Sequence, residues 1–298
     1  MKQNNKDRLL LIFAMVIFST IGIFRKFIPL PSSVLAMARG VIGMAFLFVW
    51  VSLKNQRVSR EAVRNNLLVL ILSGIALPFN WMLLFEAYNY TSVATATLCY
   101  YMAPIFLILV SPVLFREKLT VKKLICVAVA LVGMAMVSGV FDEGLGGISG
   151  TKGILLGLGA AVLYTTVMVL NRYLKDISAY DKTIMQLGLA AVVMLPYVLL
   201  TEDLSAIRLD IMAVVMLLVV GIIHTGVAYA CYFGSIGALP AQTVALFSYI
   251  DPVGAIILSA LVLREPMSMW GAIGAVLVLG STLVSELPEK AEKGRDKE

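Results

Sequence analysis

The chain has 298 residues, of which 60% are hydrophobic and 14% charged, with a formal net charge of +6 and a mean hydropathy of +0.93. A water-soluble domain of this length needs far more surface charge, which excludes a soluble enzyme or a soluble binding module. Apolar runs of about twenty residues recur throughout, each long enough to cross roughly 30 Å of hydrocarbon at 1.5 Å per residue.

In chain order the runs predict ten spans: Leu9–Phe27, Val34–Leu53, Leu67–Tyr88, Ser92–Phe115, Leu124–Val140, Gly153–Tyr173, Thr183–Leu200, Met212–Gly234, Ala241–Leu263 and Met269–Ser285. Helices are the expected form, because backbone polar groups in lipid must be satisfied within the segment and the runs are too long and continuous for barrel strands. The basic amino end (Lys2, Lys6, Arg8) leads into a full-length run without a small-x-small cleavage site, which reads as a retained helix. Placing that end in the cytoplasm puts 18 of the 24 Lys and Arg residues on cytoplasmic segments. Arg25, Lys26, Lys152, Arg208 and Arg264 fall outside, and Arg39 lies within a span. This asymmetry predicts that both termini are cytoplasmic. The positive charge therefore serves topology and contact with anionic lipid, not nucleic acid.

One stretch occurs twice. Residues 93–120 and 241–268 align at a shift of 148 with eight identities: Thr95/Thr243, Leu98/Leu246, Tyr101/Tyr249, Pro104/Pro252, Ile108/Ile256, Ser111/Ser259, Arg116/Arg264 and Glu117/Glu265. Each copy is fourth in a series of five apolar segments, which points to duplication. Five crossings leave the chain on the opposite side, so the halves are expected to be inverted relative to each other. The predicted organisation is a first five-helix repeat (1–140), an external Gly-rich linker (141–152), a second repeat (153–285) and a disordered cytoplasmic tail (286–298), an all-α membrane fold.

Catalytic motifs are scarce. Cys99, Cys126 and Cys231 fall inside spans without metal-ligand spacing, and there is one histidine, no phosphate-binding glycine loop with its lysine, no HExxH and no GxSxG. No cofactor and no enzymatic activity are expected. The repeated Tyr-x-x-Pro with Arg-Glu at the end of the same span, Ala38-Arg39-Gly40 in the second span, Ala228-Tyr229-Ala230-Cys231-Tyr232-Phe233 in the eighth and Ala238-Leu239-Pro240-Ala241 after it resemble the drug/metabolite transporter superfamily, most closely its ten-helix EamA branch. The first span reads Phe18-Ser19-Thr20 where that family commonly has Trp-Gly-Ser, and it lacks the buried glutamate of the small four-helix multidrug relatives. The resemblance implies a secondary transporter that exports small metabolites, with amino acids or similar zwitterions leading and sugars or nucleotide-linked sugars as the alternative. A membrane-embedded enzyme or a receptor is the reading from a different class, against which the two interchangeable halves weigh.

Inverted repeats place a substrate site near the midplane between the halves, where polar residues are costly unless paired or wetted. The residues at that depth are Asn80, Trp81, Tyr101, His224, Tyr229, Tyr249 and Asp251. Asp251 stands where the first repeat has Ala103 and precedes Pro252. Asp251 and His224 are the candidates for proton coupling; a carboxylate or imidazole that only pairs with a neighbouring helix is the competing reading. Arg39 and Glu86 are the candidates for an outer gate, while Arg25 and Lys26 beside them read as static ion pairs or as snorkelling to headgroups. Glu117 and Glu265 are expected to pair locally with Arg116 and Arg264 and to anchor helix ends. The expected partners are a small-molecule substrate, the lipid bilayer and, if transport is coupled, protons, in a cytoplasmic membrane. In a cysteine-free background, single cysteines at Ser32 and Gly147 should be labelled from outside intact cells, and those at Asn55 and Ser178 should not. Equal labelling of all four overturns the orientation.

Overall fold

The computed structural model describes residues 2–116, 119–137, 150–203, 205, 210–236, 239 and 241–287. Every regular element among these is helical: α1 (Lys2–Lys26), α2 (Ser32–Leu53), α3 (Arg60–Asn65), α4 (Leu67–Tyr90), α5 (Val93–Tyr100), α6 (Ala103–Phe115), α7 (Val121–Val137), α8 (Thr151–Arg172), α9 (Ala179–Thr201), α10 (Ile211–Leu218), a π-helical segment (Val219–Val227), α11 (Ala228–Ile236), α12 (Ala241–Ser248), α13 (Ile250–Leu261) and α14 (Met269–Glu286). Seven helical bodies are long and apolar enough to cross a membrane: Asn5–Lys26, Ser32–Leu53, Leu67–Tyr90, Val93–Phe115, Thr151–Arg172, Ala179–Thr201 and Ile211–Ser235. Ile250–Leu261 and Met269–Ser285 are shorter apolar helices. Residues 141–149 of the external linker, Glu117 and most of the tail lie outside the described residues.

The distribution of polarity is that of a protein in hydrocarbon. Leu200, Val113, Ile211 and Met269 are each at least 80% exposed, whereas Ser73, Asn80, His224, Thr225 and Thr282 are buried. Lipid accepts apolar side chains on the outside, so the interior is where polar groups find partners. Helices approach closely through glycine. Gly40 of α2 lies against the backbone of Leu187 and Ala191 in α9, and Gly133 of α7 faces Gly274 of α14. A Cβ at Gly133 would sit 2.8 Å from the Gly274 carbonyl oxygen, so the α7–α14 pair depends on both glycines.

The repeated stretch is broken at the same tyrosine in both copies. α5 gives way to α6 at Tyr101-Met102, and α12 to α13 at Tyr249. Pro104 and Pro252 explain the breaks: each lacks the N–H that would bond to the carbonyl four residues earlier. What reads in the sequence as one span is thus two half-helices whose joint lies mid-stretch. Both copies also end alike, with Arg116 and Arg264 at φ of 55° and 54°. That left-handed conformation reverses the chain.

The reversal corrects the expected local Arg264–Glu265 pair. Glu265 N donates back to the Ser259 carbonyl, and its carboxylate is turned away from Arg264. Glu265 Oε1 pairs with Lys26 Nζ at 3.2 Å, while Oε2 accepts from Ser259 Oγ and from the backbone N–H of Val93 at 2.8 Å, the first residue of α5. Beside it, Arg25 donates to the Ile28 carbonyl and to Ser32 Oγ, and Ser32 Oγ donates to Glu86 at 2.8 Å. Ser33 bonds Glu202. These ties gather at one end of the bundle, called distal here. The proximal end carries the contacts of Asn66 with Lys175, Ser59 with Asp181 and Arg172 with the Phe115 ring.

Candidate functional site

A cavity of about 750 Å³ runs through the interior, lined by α1, α2, α4–α6, α8, α9 and α11–α13. Its lining extends from Gly22, Arg39 and Tyr88 to Asn171, Lys182, Phe233 and Leu239 beside the proximal connections. The distal ties of Lys26, Glu265, Arg25 and Glu86 are not part of the lining. The cavity therefore reaches the proximal end and stops short of the distal one.

Arg39 is the cation of its distal part. It is only 5% exposed, its guanidinium carbon sits 4.2 Å from the centre of the Trp81 ring and 5.3 Å from that of Phe85, and Nε donates to Thr225 Oγ1 at 3.0 Å. Its two Nη groups make no hydrogen bond, and no carboxylate lies within 4.0 Å of it, among the described residues. The planar fork that matches a carboxylate is left to the cavity. Arg39 is thus separate from the distal cluster, where Glu86 meets Arg25 through Ser32.

The partner of Arg39 is set by the π-helical segment. Thr225 Oγ1 also donates to the Val220 carbonyl at 3.1 Å, five residues back. Its neighbour His224 faces α1, with Nε2 at 2.9 Å from Thr20 Oγ1, Nδ1 at 3.4 Å from the Val219 carbonyl and the ring edge-on to Phe24. Single π-helical turns in otherwise α-helical bodies commonly occur at functional sites. Here one ties the helix to α1 and α2 through adjacent residues.

Asp251 provides the negative charge. It lies in the first turn of α13, where the helix dipole favours an anion, and Oδ2 accepts from Tyr101 Oη at 2.8 Å. The two joints of the repeated stretch therefore meet: the tyrosine of one copy bonds the acid of the other. Among the described residues Oδ1 has no hydrogen-bond partner, and it is not a sealed atom.

Between these charges the wall is aromatic. Tyr100 and Tyr164 stack with centroids 5.0 Å apart, and Phe18, Tyr229 and Phe233 form edge-to-face pairs at 5.6 Å. Such rings offer apolar faces and a few hydroxyls, a usual lining for a small-molecule pocket.

Of the seven midplane residues singled out in the sequence, five line this cavity, Trp81, Tyr101, Tyr229, Tyr249 and Asp251, and so does Arg39, expected at an outer gate. The other two of the seven do not. His224 is used between helices as described, and Asn80, fully buried, donates from Nδ2 to the Ala160 carbonyl of α8 at 2.6 Å. Tyr100, Tyr164, Tyr88, Asn171 and Lys182 line the cavity without having been singled out. Tyr100 carried a signal of sorts, standing next to the repeated Tyr101; Tyr164 and Lys182 carried none, because their placement comes from packing of α8 and α9.

A sequence model described as the EamA-like transporter family matches residues 7–139 and 151–286. Among similar proteins, the Bacillus subtilis (strain 168) protein named Uncharacterized transporter YxxF is 28% identical over 281 residues, spanning 93% of this chain and 88% of its own. An Archaeoglobus fulgidus protein named Uncharacterized transporter is 26% identical over 196 residues, 65% of this chain and 67% of its own. A solved crystal structure, 21% identical, superposes with a TM-score of 0.66 over 94% of this chain and 96% of that one, a likeness of fold. The chain belongs to the EamA-like transporter family and is a multi-pass membrane transporter.

Proposed function

We propose that the protein exports small zwitterions of the amino-acid kind across a cytoplasmic membrane by alternating access, with proton exchange at Asp251. The observation that carries this reading is the pairing of free valences in one cavity. Arg39 offers an unused guanidinium fork and Asp251 an unused carboxylate oxygen, on different walls separated by aromatic rings. An α-amino acid presents the complementary set: a carboxylate, an ammonium and a side chain of variable bulk. A sugar would leave both charges uncompensated, so the geometry favours the zwitterion over the sugar alternative.

The architecture we assign to this activity is ten spans in two inverted five-helix repeats, residues 1–140 and 153–285, joined by an external linker at 141–152 and followed by a cytoplasmic tail at 286–298. Four features support it: the family model matches two successive segments, the repeated stretches break at equivalent tyrosines, they end at equivalent left-handed arginines, and the cavity lies where they meet. With both termini in the cytoplasm, the proximal end is cytoplasmic and this conformation faces inward. Release on the other side then requires the Lys26–Glu265–Val93 tie and the Arg25–Ser32–Glu86 chain to part while the proximal end closes. A proton and the cargo ammonium compete for Asp251, so each site occupancy excludes the other and exchange follows.

Arg39→Lys keeps the charge but loses the fork, and it should lower amino-acid counterflow in liposomes by about tenfold, with Arg39→Ala lower still, while both variants remain monodisperse in detergent. Loss of folded protein in proportion to flux would instead mark Arg39 as a packing residue for Trp81. Asp251→Asn retains the hydrogen bond from Tyr101 but cannot release a proton. It should abolish flux driven by an imposed pH gradient and retain exchange of labelled for unlabelled substrate, at higher substrate concentration because the amide oxygen still accepts from the ammonium but carries no charge. A wild-type flux that ignores the gradient, or an Asn variant that responds to it like wild type, removes Asp251 from coupling.

A further inference from the structure

Apart from tyrosines, three ionisable side chains line the cavity: Arg39, Lys182 and Asp251. None of the three is in an ion pair among the described residues. With Asp251 ionised, the state that receives the cargo ammonium, they leave one positive charge in excess. Lys182 stands in the first turn of α9 and is half-buried. Its neighbour Asp181 is turned aside, with Oδ2 accepting from Ser59 N. Beside it, Gln186 donates from Nε2 to both Ser73 Oγ and Asn171 Oδ1. That fixes Asn171 with its own Nδ2 donors unspent among the described residues, a second donor at the level of Lys182.

The axial spacing of the two cations follows from helix packing. Gly40, adjacent to Arg39, touches α9 at Leu187 and Ala191. Arg39 is thus level with the middle of that interval, and Lys182 lies about seven residues nearer the proximal end, roughly 10 Å at 1.5 Å per residue. Two long side chains anchored that far apart in one cavity can reach the two ends of a single small molecule.

A neutral zwitterion satisfies Arg39 and Asp251 and leaves Lys182 uncompensated beside a low-dielectric interior. A solute with one ammonium and two acid groups brings the site to zero. We propose that the cargo is an amino acid with a second acidic group, and that Lys182, assisted by Asn171, is the residue that selects it. The inference rests on the zwitterion reading of Arg39 and Asp251 and adds the charge of the cargo to it.

Glutamate and glutamine make the test, because they match in shape and differ by one charge. Counterflow of each is measured in liposomes containing wild type, Lys182→Gln and Lys182→Arg, and the glutamate-to-glutamine ratio is taken within each preparation, which cancels differences in folded protein. Wild type should favour glutamate by about tenfold or more, Lys182→Gln should bring the ratio close to one, and Lys182→Arg should retain most of it. Equal transport of the two by wild type leaves the zwitterion reading standing and overturns the selection of acids. An unchanged ratio in Lys182→Gln overturns the role of Lys182. Transport of neither amino acid by wild type overturns the inference together with the reading beneath it.

Discussion

A polar atom surrounded by hydrocarbon has no water to fall back on, and burying an arginine at the centre of a membrane helix costs about 3 kcal/mol even on insertion scales. This constraint sorts the interior of the molecule. His224 has a partner at each nitrogen and Thr225 serves two bonds at once, so these groups hold helices together. Arg39 keeps an unspent fork and Asp251 an unspent oxygen, both on the wall of the same cavity. A cavity that admits water, cargo or protons is what makes such groups tolerable. Among the described residues Asn80 Oδ1 and Arg25 Nε are also left without a partner away from the cavity, so an unspent polar atom marks the site only where it faces the cavity.

The scaffold holds the site through contacts between distant parts of the chain. Tyr101 bonds Asp251 across 150 positions and Thr225 bonds Arg39 across 186. Each joins a break in regular α-helix to a charged group: the Pro-induced joints at Tyr101 and Tyr249 on one side, the π-helical segment on the other. Breaks of this kind leave backbone that can change register at small cost. In the cycle we propose, a half-helix turning about its joint would carry Asp251 with it and so couple the state of the cavity to the position of α13.

Much of this was legible in the sequence, for definite reasons. Lipid demands long apolar runs, so composition alone gave the membrane class and placed the helical bodies. The joints were not expected, since both stretches read as single spans, although the prolines of the repeated Tyr-x-x-Pro account for them. Asp251 stood out as an acid where the first copy has Ala103. What failed to show were the pairings. Nothing local says that Glu265 would reach Lys26 and Val93 rather than Arg264; the left-handed turn at Arg264 decides that. Nothing local distinguishes Trp81, which faces the cavity, from Asn80 one position earlier, which faces α8. The π-helical segment has no signature in residue propensity, and so the opposite fates of His224 and Arg39 could not be read from composition or spacing.

The distal tie is where the account is most exposed. Glu265 carries three bonds there, to Lys26, Val93 and Ser259, and they draw α1, α5 and α13 together over the closed end of the cavity. The alternating-access cycle we propose requires these helices to separate at every turnover. The direct measurement is amino-acid counterflow by a Lys26→Cys, Glu265→Cys protein, otherwise cysteine-free, in liposomes before and after bridging the two thiols with a short reducible cross-linker. Flux that disappears on cross-linking and returns on reduction is the predicted result. Undiminished counterflow through the bridged protein would contradict the account.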